Sequence, residues 1–268
     1  MNTTATQDQL LGSLRSAGCV VDSCLRITAL SGDERGMFGE SSGVRKAAES
    51  GQPLVHVPAS LVVTSAVAQR SDVARACLEC VDGAGEVLQL ALFVLTERAQ
   101  GAASAWHWYI KSLPTSGSGA LFLDDAALEG LNGTPLRLAA DAKLRQLRAQ
   151  YSAFSDVLGN WKRANSIPGS IDYESFKWAT FAVLSRTISL HSFLKAGDND
   201  DCLAAHLGSD RALVPTLDML NHSAEPSAHW SVDADGAVSV FANEEHSASS
   251  TGQPVVELCF SYGDKPNT

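Results

Sequence analysis

The chain has no long hydrophobic run: no apolar stretch in its 268 residues approaches the ~18–20 that a membrane helix needs. Its start, Met1-Asn2-Thr3-Thr4-Ala5-Thr6-Gln7-Asp8, has neither the charged nor the apolar region of a secretory signal. An intracellular, soluble protein is therefore expected, in the cytoplasm with the nucleus as the alternative. Positive charge is scarce as well. With 20 basic against 30 acidic residues the net charge is −10, which works against nucleic-acid binding, where clustered Lys and Arg must neutralise phosphates. A basic protein segment or a cationic cofactor is the more natural partner. The six cysteines, Cys19, Cys24, Cys77, Cys80, Cys202 and Cys259, have no framework spacing, which excludes a disulfide scaffold and suits reduced thiols. The one C-x-x-C pair, Cys77-Leu78-Glu79-Cys80, lies in an amphipathic helical pattern with no second pair, so no metal is expected; a zinc site adding a histidine such as His206 is the rival reading. Without a secretory signal, the sequons at Asn2, Asn132 and Asn221 carry no weight, and no internal repeat is visible.

What is present suits a globular protein: 45% hydrophobic and 19% charged residues can bury a substantial core in one large or two smaller domains. Short valine-rich runs bounded by Gly and Pro, at Cys19–Val21, Glu34–Gly39, Pro53–Pro58 and Leu61–Thr64, predict strands of a small irregular sheet. From about Ser71 the period changes. Val87 to Leu95 is apolar all round, as in a buried helix ending near Gly101. Thr134-Pro135 predicts an N-cap followed by proline in the first helical position, opening a long helix with Leu144, Leu147, Tyr151, Phe154 and Leu158 in one stripe. Asp172 caps a further helix with Glu174 in its first turn and Phe176, Val183 and Leu184 near one face. Trp230–Val232 and Val238–Phe241 flank Asp233-Ala234-Asp235-Gly236, a hairpin signal, and Val255–Phe260 forms a last strand with Tyr262 at its exit. The expected divisions are a β-rich part at 20–84, a mainly helical insertion at 85–209 and a C-terminal part at 210–268.

Two late segments read as loops built for chemistry. Leu213-Val214-Pro215-Thr216-Leu217-Asp218-Met219-Leu220-Asn221-His222-Ser223 runs from an apolar lead into a polar Asn-His pair. Ser261-Tyr262-Gly263-Asp264-Lys265-Pro266-Asn267 follows the last strand. An isolated Asn-His pair is ordinarily a capping amide and a satisfied imidazole; a tyrosine-glycine pair at this distance changes that reading. Together the segments resemble the SET-domain protein methyltransferases, in the branch of the Rubisco large-subunit methyltransferase, where the motifs read much like D-M-x-N-H-S and S-Y-G-x-x-x-N. Tyr109 to Pro114, Leu131 to Leu136 and Phe176 to Arg186 match intermediate landmarks in order, so the resemblance extends over most of residues 30–268.

The resemblance implies an α+β, SET-type fold of short curved sheets with a large helical insertion and a threaded C-terminal loop. It implies S-adenosylmethionine as cofactor, received by the Glu34, Gly36 and Phe38 segment, by Arg186 facing the cofactor carboxylate, and by Asn221 and His222. Tyr262 takes the position of the family's catalytic tyrosine; since a phenol of pKa ~10 is a poor base at neutral pH, orientation and electrostatic stabilisation are its roles. Asp218 is read as a structural acceptor holding its loop. Methyl transfer is an in-line displacement that requires alignment more than acid–base help. The expected activity is N-methylation of a lysine on a non-histone protein, Ile188 standing where the actin-histidine branch carries an asparagine. The alternatives are a histidine-directed enzyme and a catalytically silent binding module. The chain stops soon after the tyrosine motif, so the family's helical substrate-binding domain is expected to be missing.

Overall fold

The computed structural model describes residues 3–30, 35–189, 211–244 and 254–262, with side chains from Leu10 onward. The chain divides into two compact units, one of residues 1–64 with 187–268, the other of 65–186. Among the described residues no helix is long and apolar enough to cross a membrane.

The first unit is built on short sheets. One has four strands, β1 (Val20–Val21), β4 (Val55–Val57), β10 (Val238–Ala242) and β9 (Ala228–Val232), in that spatial order and antiparallel throughout. Its hairpin turns where the sequence signal lies: Gly236, at φ 87°, donates its N–H to the Asp233 carbonyl at 2.8 Å, a conformation that glycine adopts without a side-chain clash. A second sheet runs β2 (Leu25–Ala29), β3 (Arg35–Glu40), β11 (Val255–Phe260) and β8 (Asn221–His222). A third joins β5 (Val63–Thr64), β7 (Arg211–Leu213) and β6 (Ile188–Ser189). Burial alternates along β11, with Val256, Leu258 and Phe260 inward and Val255, Glu257 and Cys259 half-buried on the other face, so one side of this strand carries core and the other is left for polar work.

Two helices of this unit lie outside the elements expected from sequence. α1 (Thr3–Ser16) buries Leu11 and Leu14, and α2 (Ser41–Ser50) buries Val44, Ala47 and Ala48. Stripes so short, and in α2 so small-sided, give little periodic signal. β2 was not anticipated for the same reason: only Leu25 and Ile27 of its five residues are buried.

The second unit is helical: α3 (Ser65–Ala68), α4 (Asp72–Leu78), α5 (Glu86–Gln100), α6 (His107–Ile110), α7 (Asp125–Glu129), α8 (Pro135–Ala164) and α9 (Tyr173–Arg186). α5 is buried continuously from Leu90 to Thr96 and packs against α3, α4, α6 and α9, the environment its all-round apolar sequence requires. α8 starts as its sequence dictates, with Thr134 Oγ1 accepting from Arg137 N–H at 3.2 Å and Pro135 in the first turn. Its inner stripe contains Leu147, Phe154 and Leu158, and Phe154 meets Phe176 of α9 edge-on at 5.2 Å. Asp172 Oδ1 accepts from Ser175 N–H at 2.8 Å and so caps α9. Leu184 departs from the expected face. It is 44% exposed, because one residue beyond buried Val183 the helix has turned by about 100°.

Candidate functional site

The chain reaches Asn221 through a buried bend. Val214, Leu217, Met219 and Leu220 are all buried, and a single 3₁₀ turn, Leu217–Met219, is entered from Thr216 at φ 80°. A β-branched residue there costs about 1–3 kcal/mol, so the surrounding packing must hold this bend in place. Asp218 lies within the turn and is buried. The bend aims β8 at β11, whose other edge pairs with β3. β11 runs antiparallel to β3, with Glu257 opposite Phe38 and Leu258 opposite Met37, and parallel to β8, with Cys259 opposite Asn221 and Phe260 opposite His222. Residues far apart in sequence thereby meet on β11, Asn221 and Phe38 on the side of Glu257 and Cys259, and His222 beside Phe260.

Polar bonds lock that face. Asn221 Nδ2 donates to the Arg35 carbonyl at 3.2 Å and to Glu257 Oε1 at 2.7 Å. Gly36 lies directly beside them: a Cβ there would stand 2.6 Å from Glu257 Oε1, 2.9 Å from the Phe38 ring and 3.3 Å from Asn221 Nδ2. A side chain here would have to displace the Glu257 carboxylate and the Phe38 ring. Tyr262 is fixed at both ends, its N–H donating to His222 Nδ1 at 3.0 Å and its phenol donating to the Leu220 carbonyl at 2.8 Å. Because Nδ1 of His222 accepts, the proton of the neutral ring sits on Nε2. The tyrosine ring packs at 5.2 Å from that of His222 and 4.9 Å from that of Phe260. Ser227 ties the following loop to β11, its Oγ donating to the Glu257 carbonyl at 2.7 Å and accepting from Cys259 N–H at 2.8 Å.

The face opens to solvent, Tyr262 being 40% exposed and Asn221 half-buried. Burial, and secondarily the Glu257 carboxylate, push the Cys259 thiol up to about 11, so it stays protonated and is no nucleophile at neutral pH.

Of the residues expected from sequence, Gly36, Phe38 and Asn221 are brought together around Glu257, and His222 with Tyr262 beside Phe260, the two groups adjoining through the Asn221–His222 step of β8. Glu34 and Gly263 lie outside the described residues. Arg186 belongs to the other compact unit, where it is the last residue of α9. Two participants were not anticipated. Glu257 is the single charge in its strand, and alternation with Cys259 on the half-buried face is the signal that marks it; Ser227 carries no such signal.

Among the described residues no group of three or more His, Cys, Asp or Glu side chains could hold a metal ion. Cys77 is buried, with its thiol pushed up to about 12 chiefly by that burial, whereas Cys80 is exposed. His206, the histidine of the zinc reading, lies outside the described residues.

No protein-family model matches the chain. Among curated relatives, SET domain-containing protein 4 of Mus musculus is 27% identical over 197 residues, covering 72% of this chain and 42% of that protein. The actin-histidine N-methyltransferase of Otolemur garnettii is 28% identical over 138 residues, covering 51% of this chain and 21% of that protein. The chain thus spans less than half the length of these relatives. Among solved structures, the SET domain of LSMT bound to lysine and AdoHcy superposes with a TM-score of 0.70 at 16% identity, covering 100% of this chain and 55% of that one. Rubisco LSMT bound to AdoMet gives 0.68 at 15% identity, covering 98% and 53%. With two compact units, short open sheets and this whole-length superposition, the chain has the SET-domain fold in the form shared with Rubisco LSMT.

Proposed function

We propose that the chain binds S-adenosylmethionine and methylates a nitrogen of a protein side chain, with lysine as the acceptor. The residues present fit such a cofactor. Both amide hydrogens of Asn221 are engaged within the protein, so the group it offers a ligand is its carbonyl oxygen, an acceptor for an ammonium. His222 offers an Nε2–H donor, and Glu257 stands beside Asn221, accepting from its amide. The backbone at Gly36 is bare where any side chain would collide with that carboxylate, which lets a ligand approach the strand closely. The bound cofactor supplies an activated methyl group on a positively charged sulfur.

Tyr262 carries the chemical part of the reading. Its phenol donates to the Leu220 carbonyl, so its oxygen turns lone pairs toward whatever arrives, and an incoming amine can be oriented by donating to them. The second hydrogen bond, through its own N–H to His222, holds the phenol within narrow limits, as an alignment-dependent displacement requires. A displacement by a neutral amine depends on alignment more than on a strong base.

Lysine is favoured by the LSMT structure that holds lysine, which this chain matches along its whole length, and by Ile188, a buried apolar residue without a group to hold a target ring. Histidine is the second reading, because the actin-histidine enzyme reaches 28% identity, though over only 51% of the chain. An acidic chain suits a substrate segment rich in positive charge. The insertion between the two SET halves is read at 85–209, most of which falls in the helical unit of 65–186.

Transfer of tritium from labelled S-adenosylmethionine into proteins of a cell extract tests the proposal. Label that is lost with Tyr262→Phe and found on lysine supports it. Label on histidine reassigns the acceptor, and cofactor binding without any transfer makes the chain a binding module instead.

A further inference from the structure

We propose that Glu257 is a positioning residue whose carboxylate holds the Asn221 amide in the one orientation that presents an oxygen, not hydrogens, to the amino group of the cofactor. This rests on the S-adenosylmethionine reading above. An asparagine amide has two nearly isosteric orientations, and the neighbouring groups decide between them. At Asn221 the neighbours are both acceptors: the Arg35 carbonyl at 3.2 Å and Glu257 Oε1 at 2.7 Å. Only Nδ2 can face that side, so Oδ1 must face away from it.

The carboxylate bond is the shorter of the two and is charge-assisted, whereas the Arg35 carbonyl alone would leave one amide hydrogen unpaired and the orientation weakly held. Glu257 is itself held by its place in β11, opposite Phe38, and by Ser227 Oγ donating to its carbonyl at 2.7 Å. The bare Cα of Gly36 leaves the room that its carboxylate occupies, since a Cβ would come within 2.6 Å of Oε1. Gly36, Glu257 and Asn221 therefore act as one unit: the glycine admits the carboxylate, the carboxylate orients the amide, and the amide receives the ligand.

Two substitutions separate hydrogen bonding from mere structural support. Glu257→Gln keeps an oxygen that accepts from Asn221 Nδ2, while Glu257→Ala removes it. In ligand-free protein, the Asn221 side-chain amide resonances should move in Glu257→Ala and stay close to the wild-type positions in Glu257→Gln. By calorimetry, S-adenosylmethionine should bind about tenfold more weakly to Glu257→Ala and within about threefold of wild type to Glu257→Gln, the size expected for one hydrogen bond that glutamine can also accept. Unmoved amide resonances with unchanged affinity in Glu257→Ala would overturn the inference while leaving the cofactor reading intact. Equal losses in both variants would also overturn it, assigning Glu257 a role through its charge. A wild-type chain that binds no S-adenosylmethionine would overturn the reading and the inference together.

Discussion

The two units of this chain are held by different physics. In the helical unit, order comes from apolar side chains at helical spacing: Leu147, Phe154 and Leu158 line α8, Phe176, Ala179 and Val183 line α9, and α5 is buried along most of its length. In the strand unit, the candidate site is held by a few polar bonds between residues distant in sequence, Asn221 to Glu257 and Arg35, and Tyr262 to His222 and Leu220. Burial is non-directional and tolerates approximate positions, while hydrogen bonds lose their value within a fraction of an ångström. The contrast places stability mainly in packing and chemistry mainly in directional contacts.

Four substitutions test this contrast. Phe154→Ala, at a fully buried position, should cost about 3–5 kcal/mol in denaturant unfolding, the loss of a large side chain with a residual cavity. A cost below about 1 kcal/mol would remove packing as the basis of the helical unit. Tyr262→Phe should leave unfolding nearly unchanged yet lower kcat by about 100-fold, the usual size for one preorganised polar contact. Unfolding that shifts as much as in Phe154→Ala would mean that the site bonds are structural.

Smaller effects test the ends of the helices. Asp172 has its carboxyl held below the usual range by the Ser170 hydroxyl and the Ser175 N–H, with a minor contribution from Lys162. A depressed carboxyl contributes stability above the ordinary carboxylate pKa and loses it as pH falls through the folded value. Asp172→Ala should therefore cost about 1 kcal/mol at neutral pH, as for a lost N-cap, and the difference from wild type should vanish on acidification. A pH-independent difference would assign the effect to packing. Leu184→Ala, at the exposed position, should change stability by no more than about 0.5 kcal/mol.

The same contrast explains what the sequence made legible. Helices α5, α8 and α9 announce themselves because apolar period and cap residues fall within one local window: Thr134-Pro135 and Asp172 act as their types predict. The hairpin at Asp233–Gly236 is local too. The convergence of Gly36, Phe38, Asn221, His222 and Tyr262 was approachable only through motif order, because no local rule brings β3, β8 and β11 together. Ser227 carries no local signal at all, and although alternation places Glu257 on the half-buried face of β11, nothing local shows that its partner lies at Asn221. α2 was hidden by its small buried residues, and the exposed side of Leu184 by a one-residue error of phase.

The most direct test of the central claim is the structure of this protein crystallised with S-adenosylhomocysteine. Ligand density is expected against the Gly36 backbone, with its amino group at Asn221 and its thioether end directed toward Tyr262. Well-ordered ligand bound away from the strand face formed by β3, β11 and β8, or a fully ordered face that takes up no ligand at saturating concentration, would contradict it.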